Sequence, residues 1–306
     1  MKKDVRFLVT NNCNYNCYFC HHEGIEAERK RNELSVENYV TLFKAYSEIE
    51  EWNGVTLSGG EPLLYRYIDI LCQRLYEEGA KITIVTNGSL LSAHLPMLKY
   101  VDRINVSIHT LNDRTYERIT GKKDMLEHVK ENLKLIRSLY PNLRIRLNVT
   151  PCKSNGWSDE ELNRILSFSR KLNSSMKMTE LFPRSNSDCI RISVLREQLD
   201  KSGYIYVETD DRTELFTKDG HNVYLTQCTC SKACKTKNAV KYCRATHDLY
   251  VNHNGKFLLC RLGNDAIDFW NEIDSNDLEN LKVKINIAKL RVPEQCCYGY
   301  LRKCHL

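Results

Sequence analysis

A repeated alternation of strand-like and helix-like segments over the first 182 residues is the feature that most constrains the fold of this chain. Short apolar runs, among them VRFLVT, GVTLSG and KITIVT, are each followed by a longer segment with helical periodicity. Six such units follow in series, a pattern typical of parallel strands joined by right-handed crossovers. The alternation predicts an α/β fold, either an open doubly wound sheet or a curved partial barrel, and does not distinguish the two.

Residues with reactive or strongly polar groups follow the predicted strands. Both architectures place reactive groups at the carboxyl ends of parallel strands. The segments in question are 13–20 after the first strand, 59–62 after the second, 86–88 after the third, 107–109 at the fourth and Asn148 near the end of the fifth. We therefore expect these segments to meet at one edge of the sheet.

The first of these segments contains three cysteines in the spacing C-x3-C-x2-C, at Cys13, Cys17 and Cys20. A structural zinc site needs four ligands, and His21 or His22 could supply the fourth, so zinc is one interpretation. A four-iron cluster held by three thiolates leaves one iron free to bind another molecule. That iron could chelate the amino and carboxylate groups of S-adenosylmethionine (SAM).

The second segment reads SGGEP, and its glycines allow another group to approach the backbone closely. A C-x3-C-x-aromatic-C motif with GGEP at the next strand end resembles the radical SAM superfamily. Within it, residues 4–183 are most similar to the GTP 3′,8-cyclase family of molybdenum-cofactor synthesis, through RFLVTNNCNYNCYFC, LSGGEPLL, VTNGSLL and RINVSIHTLNDRTYERITG. The resemblance implies a partial (β/α)6 TIM-like barrel and an enzyme that reductively cleaves SAM to a 5′-deoxyadenosyl radical, which abstracts a hydrogen from its substrate.

The same resemblance implies roles for individual residues. Cys13, Cys17 and Cys20 would be the catalytic ligands of a [4Fe-4S] cluster. SAM contacts would come from the side chains or backbone of Phe19 (adenine), Gly59, Gly60 and Glu61 (methionine amino group), and Thr86, Ser107 and Asn148. The last three are also compatible with ordinary polar residues at strand ends. His21, His22, His109 and Tyr250 are pocket candidates by position, in structural more than catalytic roles.

The C-terminal part of the chain is rich in cysteine. The chain has 14 cysteines, and eight of them are candidate metal ligands after the predicted linker: Cys228, Cys230, Cys234, Cys243, Cys260, Cys296, Cys297 and Cys304. Cys243 and Cys260 flank a hairpin predicted at Asn254-Gly255, and the region resembles the SPASM and twitch auxiliary domains. The resemblance implies at least one auxiliary [4Fe-4S] cluster, with enough thiolates for two; a zinc knuckle is the alternative. Cys72 and Cys152 are interpreted as core thiols.

The sequence departs from the cyclase family at several positions. Thr246 replaces the middle cysteine of the auxiliary site, and Asp248 and Tyr250 replace two arginines that bind the triphosphate. The loss of two cations predicts weak triphosphate binding. The favoured reading is therefore a radical SAM enzyme acting on another small molecule or a peptide in cofactor or natural-product biosynthesis. The GTP 3′,8-cyclase itself and a non-catalytic zinc- or cluster-binding regulatory protein are the alternatives.

The predicted domains are a radical SAM core at 1–183, a linker at 184–227 and a cysteine-rich auxiliary domain at 228–306. No apolar run approaches the length of a membrane span, and the net charge of +6 is too mild to indicate nucleic acid. We expect a cytoplasmic protein with no membrane partner, reduced by an external donor such as flavodoxin or ferredoxin.

Overall fold

A computed structural model describes residues 4–20, 33–181, 187–210, 213–227, 249–258 and 266–296. Within these ranges the chain forms one twelve-stranded sheet in the order β12-β11-β10-β1-β2-β3-β4-β5-β6-β9-β8-β7. The strands are β1 (Val5–Thr10), β2 (Gly54–Gly59), β3 (Lys81–Thr86), β4 (Arg103–Ser107), β5 (Arg144–Val149), β6 (Ser175–Thr179), β7 (Ile205–Asp210), β8 (Thr213–Lys218), β9 (His221–Thr226), β10 (Leu249–Asn252), β11 (Lys256–Leu258) and β12 (Ala266–Asp268).

Helices connect the central strands. They are α1 (Val36–Glu50), α2 (Ile68–Glu77), α3 (Asp113–Thr120), α4 (Met125–Leu139), α5 (Asp159–Lys171), α6 (Ile192–Lys201), α7 (Trp270–Asp274) and α8 (Leu278–Cys296), with 3-10 turns at Pro62–Leu64, Leu91–Tyr100 and Lys153–Asn155. No helix in these described ranges is both long and apolar enough to cross a bilayer.

The six predicted strands β1 to β6 pair in parallel and in chain order. Alternate residues such as Val5, Phe7, Ile104 and Leu147 are fully buried in a core shared with the helices. This arrangement confirms the predicted α/β fold with a mostly parallel sheet, which is not closed into a full barrel. The carboxyl ends of the strands lie at one edge, so the segments singled out in the sequence are brought together there.

The expectation of a linker at 184–227 was wrong for most of that segment. Residues 192–226 form α6 and the strands β7, β8 and β9, and β9 pairs in parallel with β6. The sequence obscured these strands because β8 (TELFTK) and β9 (HNVYLT) are about half polar, unlike the apolar runs of the central strands. Strands β8 and β9 form a hairpin within the segment, and its turn carries Asp219 and Gly220, both with positive φ.

The hairpin predicted at Asn254-Gly255 is also present. Strands β10 and β11 pair antiparallel, and Gly255 has a φ of +79°. Strand β10 pairs in parallel with β1, so this hairpin extends the sheet beside the first strand. Seven of the candidate auxiliary ligands lie outside the described residues: Cys228, Cys230, Cys234, Cys243, Cys260, Cys297 and Cys304. The eighth, Cys296, is the last residue of α8. His21, His22, Thr246 and Asp248 also lie outside the described residues.

Candidate active site

The cysteine loop, residues 11–20, leaves the carboxyl end of β1 and carries the three predicted ligands. Cys13 and Cys20 are exposed and Cys17 is half-buried. Burial, followed by the neighbouring Cys20 and Cys13, raises the pKa of Cys17 to about 12. The other two thiols act on Cys17 electrostatically, so the three lie within interaction range of one another.

The donor set of the cysteine loop fits an iron–sulfur cluster. Three closely spaced thiolates are soft ligands of the kind that hold such clusters, and three leave a fourth iron open. No group of three or more His, Cys, Asp or Glu side chains in the described part of the chain lies close enough together to bind a single metal ion. The fit to a cluster therefore rests on the chemistry of the three thiols and their spacing along the loop.

Neighbouring segments hold the cysteine loop on the side facing β3. The Asn87 side-chain amide donates to Asn14 Oδ1 at 2.8 Å, and Asn14 Nδ2 donates to Ser89 Oγ at 2.9 Å. On the side of α3, the backbone N–H of Asn16 donates to the carbonyl oxygen of Thr120 at 2.9 Å. These hydrogen bonds hold the loop at Asn14 and Asn16, between the first two cysteines.

The two glycines of SGGEP allow the end of β2 to pack directly against this loop. A Cβ on Gly59, whose φ is +132°, would lie 2.3 Å from the carbonyl oxygen of Thr10. A Cβ on Gly60 would lie 2.2 Å from the carbonyl oxygen of Asn12. The backbone N–H groups of Gly60 and Glu61 donate to those same oxygens at 2.9 and 2.8 Å. Only residues without a side chain fit this contact.

Glu61 is a buried carboxylate with 1% of its surface exposed. It accepts hydrogen bonds from the Thr86 hydroxyl at 2.7 Å, the Asn87 N–H at 2.7 Å and the Leu63 N–H at 3.2 Å. Burial is the largest influence and raises the pKa of Glu61 from 4.5 to about 7, although these hydrogen bonds oppose it. A cationic group docked beside Glu61 would favour its ionised form.

Phe19 lies between the last two cysteines and packs on side chains from β4 and β5. Its ring meets the His109 ring edge-on at 4.7 Å between centroids, and it contacts the buried cluster that contains Cys152 and Cys189. His109 Nδ1 accepts from the Thr150 N–H at 3.2 Å, and burial lowers the pKa of His109 to about 4. His109 is therefore neutral near pH 7 and serves to position Phe19. Cys152 is a core thiol as expected, but it faces Cys189 across an antiparallel bridge.

The remaining predicted SAM contacts lie at the same edge of the sheet. Ser107 and Asn148 are direct neighbours across β4 and β5, and both are half-buried. The Oδ1 atom of Asn148 is buried and has no hydrogen-bond partner among the described residues. The Thr86 hydroxyl instead donates a hydrogen bond to Glu61 Oε1 at 2.7 Å and so orients that carboxylate. The structure thus brings the predicted residues together and gives Thr86 a different immediate partner.

The face of the sheet opposite the helices is polar and positively charged. Its positions alternate with the buried apolar ones and include four half-buried cations: Arg6, Arg103, Arg146 and Lys177. Burial, then the neighbouring Arg144, lowers the pKa of Arg103, whereas Tyr224 and Asp4 raise it. Asp4 adjoins β1 and Tyr224 lies on β9, each three strands from β4. Groups on strands about 14 Å away across the sheet therefore act on Arg103, which fits a sheet curved toward this side as in a partial barrel, and we call it the concave face.

Tyr250 lies on the concave face beside Arg6. The two residues are in register on β10 and β1, and the guanidinium carbon lies 5.4 Å from the ring centroid, a cation–π contact. The Tyr250 hydroxyl and Arg6 Nε are both buried with no hydrogen-bond partner among the described residues. Two polar groups without partners are typical of a face that receives a ligand.

Sequence reasoning missed several residues that shape this site. Asn14, Asn87 and Ser89 bridge two strand ends, and Tyr224 acts electrostatically on Arg103 from across the concave face. Asn14 lies within the cysteine motif and Asn87 within VTNGSLL, so their polar side chains in these motifs could have indicated a role in the site. The influence of Tyr224 on Arg103 has no local signal because the two residues lie on strands that are far apart in the chain.

Comparisons with known proteins agree with this geometry. The family model of the Radical SAM superfamily matches residues 7–169. A protein of Thermococcus kodakarensis named "Probable GTP 3′,8-cyclase" is 30% identical over 283 residues, which cover 87% of each chain. A protein of the same name from Pyrobaculum aerophilum is 26% identical over 295 residues, covering 94% of this chain and 93% of that one.

Solved structures share the fold. Streptococcus suis SuiB bound to S-adenosylmethionine superposes with a TM-score of 0.65 at 18% identity, covering 93% of this chain and 67% of that chain. The native enzyme anSMEcpe with bound AdoMet gives a TM-score of 0.59 at 11% identity, covering 92% of this chain and 82% of that chain. With a family model that matches more than half of its residues and a cysteine loop of the expected design, the chain belongs to the radical SAM superfamily, and it is an enzyme.

Proposed function

We propose that Cys13, Cys17 and Cys20 hold a [4Fe-4S] cluster and that the edge formed by Gly59, Gly60 and Glu61 binds the methionine part of SAM. Three observations support this: the three thiols lie on one short loop within electrostatic range of one another, the glycine contact fixes the loop against β2, and Glu61 is a buried acceptor suited to an ammonium group. When bound, the cluster supplies the electron that splits SAM into methionine and a 5′-deoxyadenosyl radical. An external reductant of the flavodoxin or ferredoxin type would deliver that electron.

We further propose that Phe19, Ser107 and Asn148 complete the SAM site. Phe19 presents a half-buried ring held by His109, which suits stacking on adenine. Asn148 offers a buried carbonyl oxygen that can accept from a ribose hydroxyl. Thr86 acts through Glu61. The protein's part in the chemistry is to bind, orient and exclude water, since the cofactor carries the radical step.

The substrate is proposed to be an anionic nucleotide, and GTP is the first candidate. The observation that carries this proposal is the concave cationic face formed by Arg6, Arg103, Arg146 and Lys177. A cluster of Lys and Arg in a concave, partly desolvated site is suited to phosphate groups. The two cyclase-named relatives also match this chain along most of its length, which supports GTP 3′,8-cyclisation.

A second candidate is an anionic substrate with fewer charges than a triphosphate. It is favoured by Tyr250, which occupies a position where the resembled family has an arginine and which covers Arg6 with its ring. A phenol in that place can donate one hydrogen bond but adds no charge. This candidate is a radical SAM enzyme of different substrate choice, as the sequence favours.

One experiment separates the two candidates. Anaerobically reconstituted protein is incubated with SAM, dithionite and GTP, and the products are separated by mass-resolved chromatography. The cyclase proposal predicts 5′-deoxyadenosine together with a cyclised GTP of unchanged mass, and loss of both in Cys17→Ala. SAM cleavage without a cyclised nucleotide would reject GTP and favour the second candidate. Arg146→Met, which removes one cation from the concave face, should raise KM for a phosphorylated substrate without preventing slow SAM cleavage in its absence.

We also propose at least one auxiliary cluster held by cysteines of the segment 228–306, with Cys243 and Cys260 as its first candidate ligands. The support is the described β10–β11 hairpin, which lies between these two cysteines in the chain and whose strand β10 pairs with β1. We propose that residues 1–183 form the core domain, with β7 to β9 extending its sheet.

A further inference from the structure

Tyr18 lies between the ligands Cys17 and Cys20 and connects their loop to a distant part of the chain. We propose that Tyr18 is a positioning residue for the cluster: its hydroxyl, held by Ser154, Asn155 and Asp188, fixes the spacing of Cys17 and Cys20. This inference rests on the proposed ligand set.

The Tyr18 hydroxyl has three partners. It lies 2.5 Å from Ser154 Oγ, donates to Asn155 Oδ1 at 2.8 Å and lies 3.3 Å from Asp188 Oδ2. The residue itself is 49% exposed. Since half of its surface faces solvent, the polar end contributes a large share of what holds the ring against the protein.

The partners of Tyr18 are themselves held in place. Asp188 accepts from the Ser154 N–H at 2.5 Å and from Ser154 Oγ at 2.6 Å, while the Lys153 N–H donates to the Asp188 carbonyl oxygen at 3.0 Å. Arg118 donates to the Ser154 carbonyl oxygen. Burial opposes ionisation of Asp188, but hydrogen bonds from Ser154 and Tyr18 lower its pKa overall. The hydroxyl therefore meets a fixed, ionised group.

The cysteine loop has few other restraints between its last two ligands. The Tyr18 N–H donates to the Ile119 carbonyl oxygen at 3.2 Å, and the Cys20 N–H donates to the Cys17 carbonyl oxygen at 3.0 Å. The Phe19 ring packs beneath them. Removing the hydroxyl would release the one side-chain hydrogen-bonded connection between this stretch and the loop after β5 in the described part of the chain.

The loop after β5 follows directly on the strand that carries the proposed SAM contact Asn148, and its 3-10 turn ends at Asn155. A connection from this loop to Tyr18 therefore ties the cluster ligands to the strand that presents Asn148. The geometry assigns Tyr18 a role in keeping the cluster and the SAM site in register, in addition to any contribution to folding.

The test measures how firmly the cluster is held. Wild type, Tyr18→Phe, Ser154→Ala and the double variant are reconstituted anaerobically, and iron release to a ferrous chelator is followed by absorbance. Tyr76→Phe is the matched control, because Tyr76 is 52% exposed on α2 and its hydroxyl has no hydrogen bond among the described residues. The electron paramagnetic resonance (EPR) spectrum of the reduced cluster is recorded with and without SAM.

We expect Tyr18→Phe to release iron about tenfold faster, the factor that corresponds to roughly 1.4 kcal/mol for a hydrogen bond to a charged network. Because Tyr18 and Ser154 act in one network, their effects should not add. The double variant should release iron no faster than the faster of the two single variants. The melting temperature of cluster-free protein should be unchanged, and the EPR change caused by SAM should be smaller or broader.

Release as slow as in wild type would overturn the inference. A faster release matched by Tyr76→Phe, or one that follows a general loss of melting temperature, would also overturn it, since both indicate a purely structural effect. Cys17→Ala separates this inference from the proposed function. If that variant still binds four irons at this site, the proposed ligand set is wrong; if it loses them while Tyr18→Phe behaves as wild type, only the role of Tyr18 is rejected.

Discussion

Glu61 is expected to make SAM binding depend on pH. Its carboxylate is 1% exposed, and burial raises its pKa to about 7. Near pH 6 most molecules without SAM therefore carry a neutral Glu61, which is a poor partner for an ammonium group. If SAM binds the ionised form only, its apparent affinity must fall as the pH is lowered through 7.

The size of the effect follows from the pKa. The fraction of ionised Glu61 is about one in eleven at pH 6 and about three in four at pH 7.5, so the Kd for SAM should tighten about eightfold between these values. Glu61→Gln should remove this dependence. It should also weaken binding at pH 7.5 by about 10- to 100-fold, since a hydrogen bond to a charged group contributes about 1.5–3 kcal/mol. The range stops at pH 7.5 because an α-amino group loses its own proton near pH 7.7–8.0.

The assay is calorimetric titration of SAM into anaerobically reconstituted protein at four pH values from 6.0 to 7.5. Glu161→Gln is a matched control, because Glu161 is 2% exposed and accepts hydrogen bonds from Thr110 and Leu111 but lies on α5. The control should keep the wild-type pH dependence. A wild-type Kd that changes less than twofold over this range, or a Glu61→Gln protein that retains the slope, would refute the reasoning.

The same group gives a signed prediction for the stability of SAM-free protein. The folded pKa lies above the unfolded value, so the folded state binds the proton more tightly. The resulting stabilisation is complete below pH 4.5 and is lost as the pH rises through 7. The change from 4.5 to about 7 corresponds to roughly 3 kcal/mol of unfolding free energy. Glu61→Gln should abolish this contribution in urea titrations at pH 5 and pH 8.

Three further predictions concern other parts of the molecule. Gly60→Ala should lower cluster loading and the melting temperature together, because the added Cβ would lie 2.2 Å from the Asn12 carbonyl oxygen; normal loading would show that the loop shifts without cost. Tyr204→Phe should lower the unfolding free energy at pH 7 by about 1–3 kcal/mol, since it leaves the buried His221 Nδ1 without its partner at 2.6 Å; an unchanged urea midpoint would contradict this. Iron analysis should give about eight irons per wild-type chain if one auxiliary cluster is present, and about four in Cys17→Ala; four in wild type would reject the auxiliary cluster.

Local sequence patterns were sufficient for the central strands and for the position of the site. Strands β1 to β6 lie where apolar runs predicted them, and the cysteine loop and the glycines of SGGEP meet at one edge. Parallel strands in sequential order bring successive carboxyl ends together, so an ordered series of strands is enough to place these motifs.

Local patterns failed where long-range contacts decide the outcome. Residues 192–226 read as a polar linker, yet they form a helix and three strands because β9 finds a partner in β6. Ser158 caps α5 by accepting from the Glu161 N–H at 3.2 Å, but the carboxylate of Glu161 does not return to complete a capping box. It instead accepts from the Thr110 hydroxyl and the Leu111 N–H, each at 2.7 Å. Helix α3 (Asp113–Thr120) was not predicted from the sequence.

The sequence by itself determined which residues are chemically able to hold a cluster and SAM, because spacing within a loop and order along a series of strands are local properties. Only the tertiary structure decided how those residues behave. The raised pKa of Glu61 comes from its burial. The Tyr18 hydroxyl is hydrogen-bonded by Ser154, 136 positions away in the chain. The cations of the concave face come from strands that are distant in sequence. Each of these depends on distances between segments far apart in the chain, which no pattern within one segment encodes.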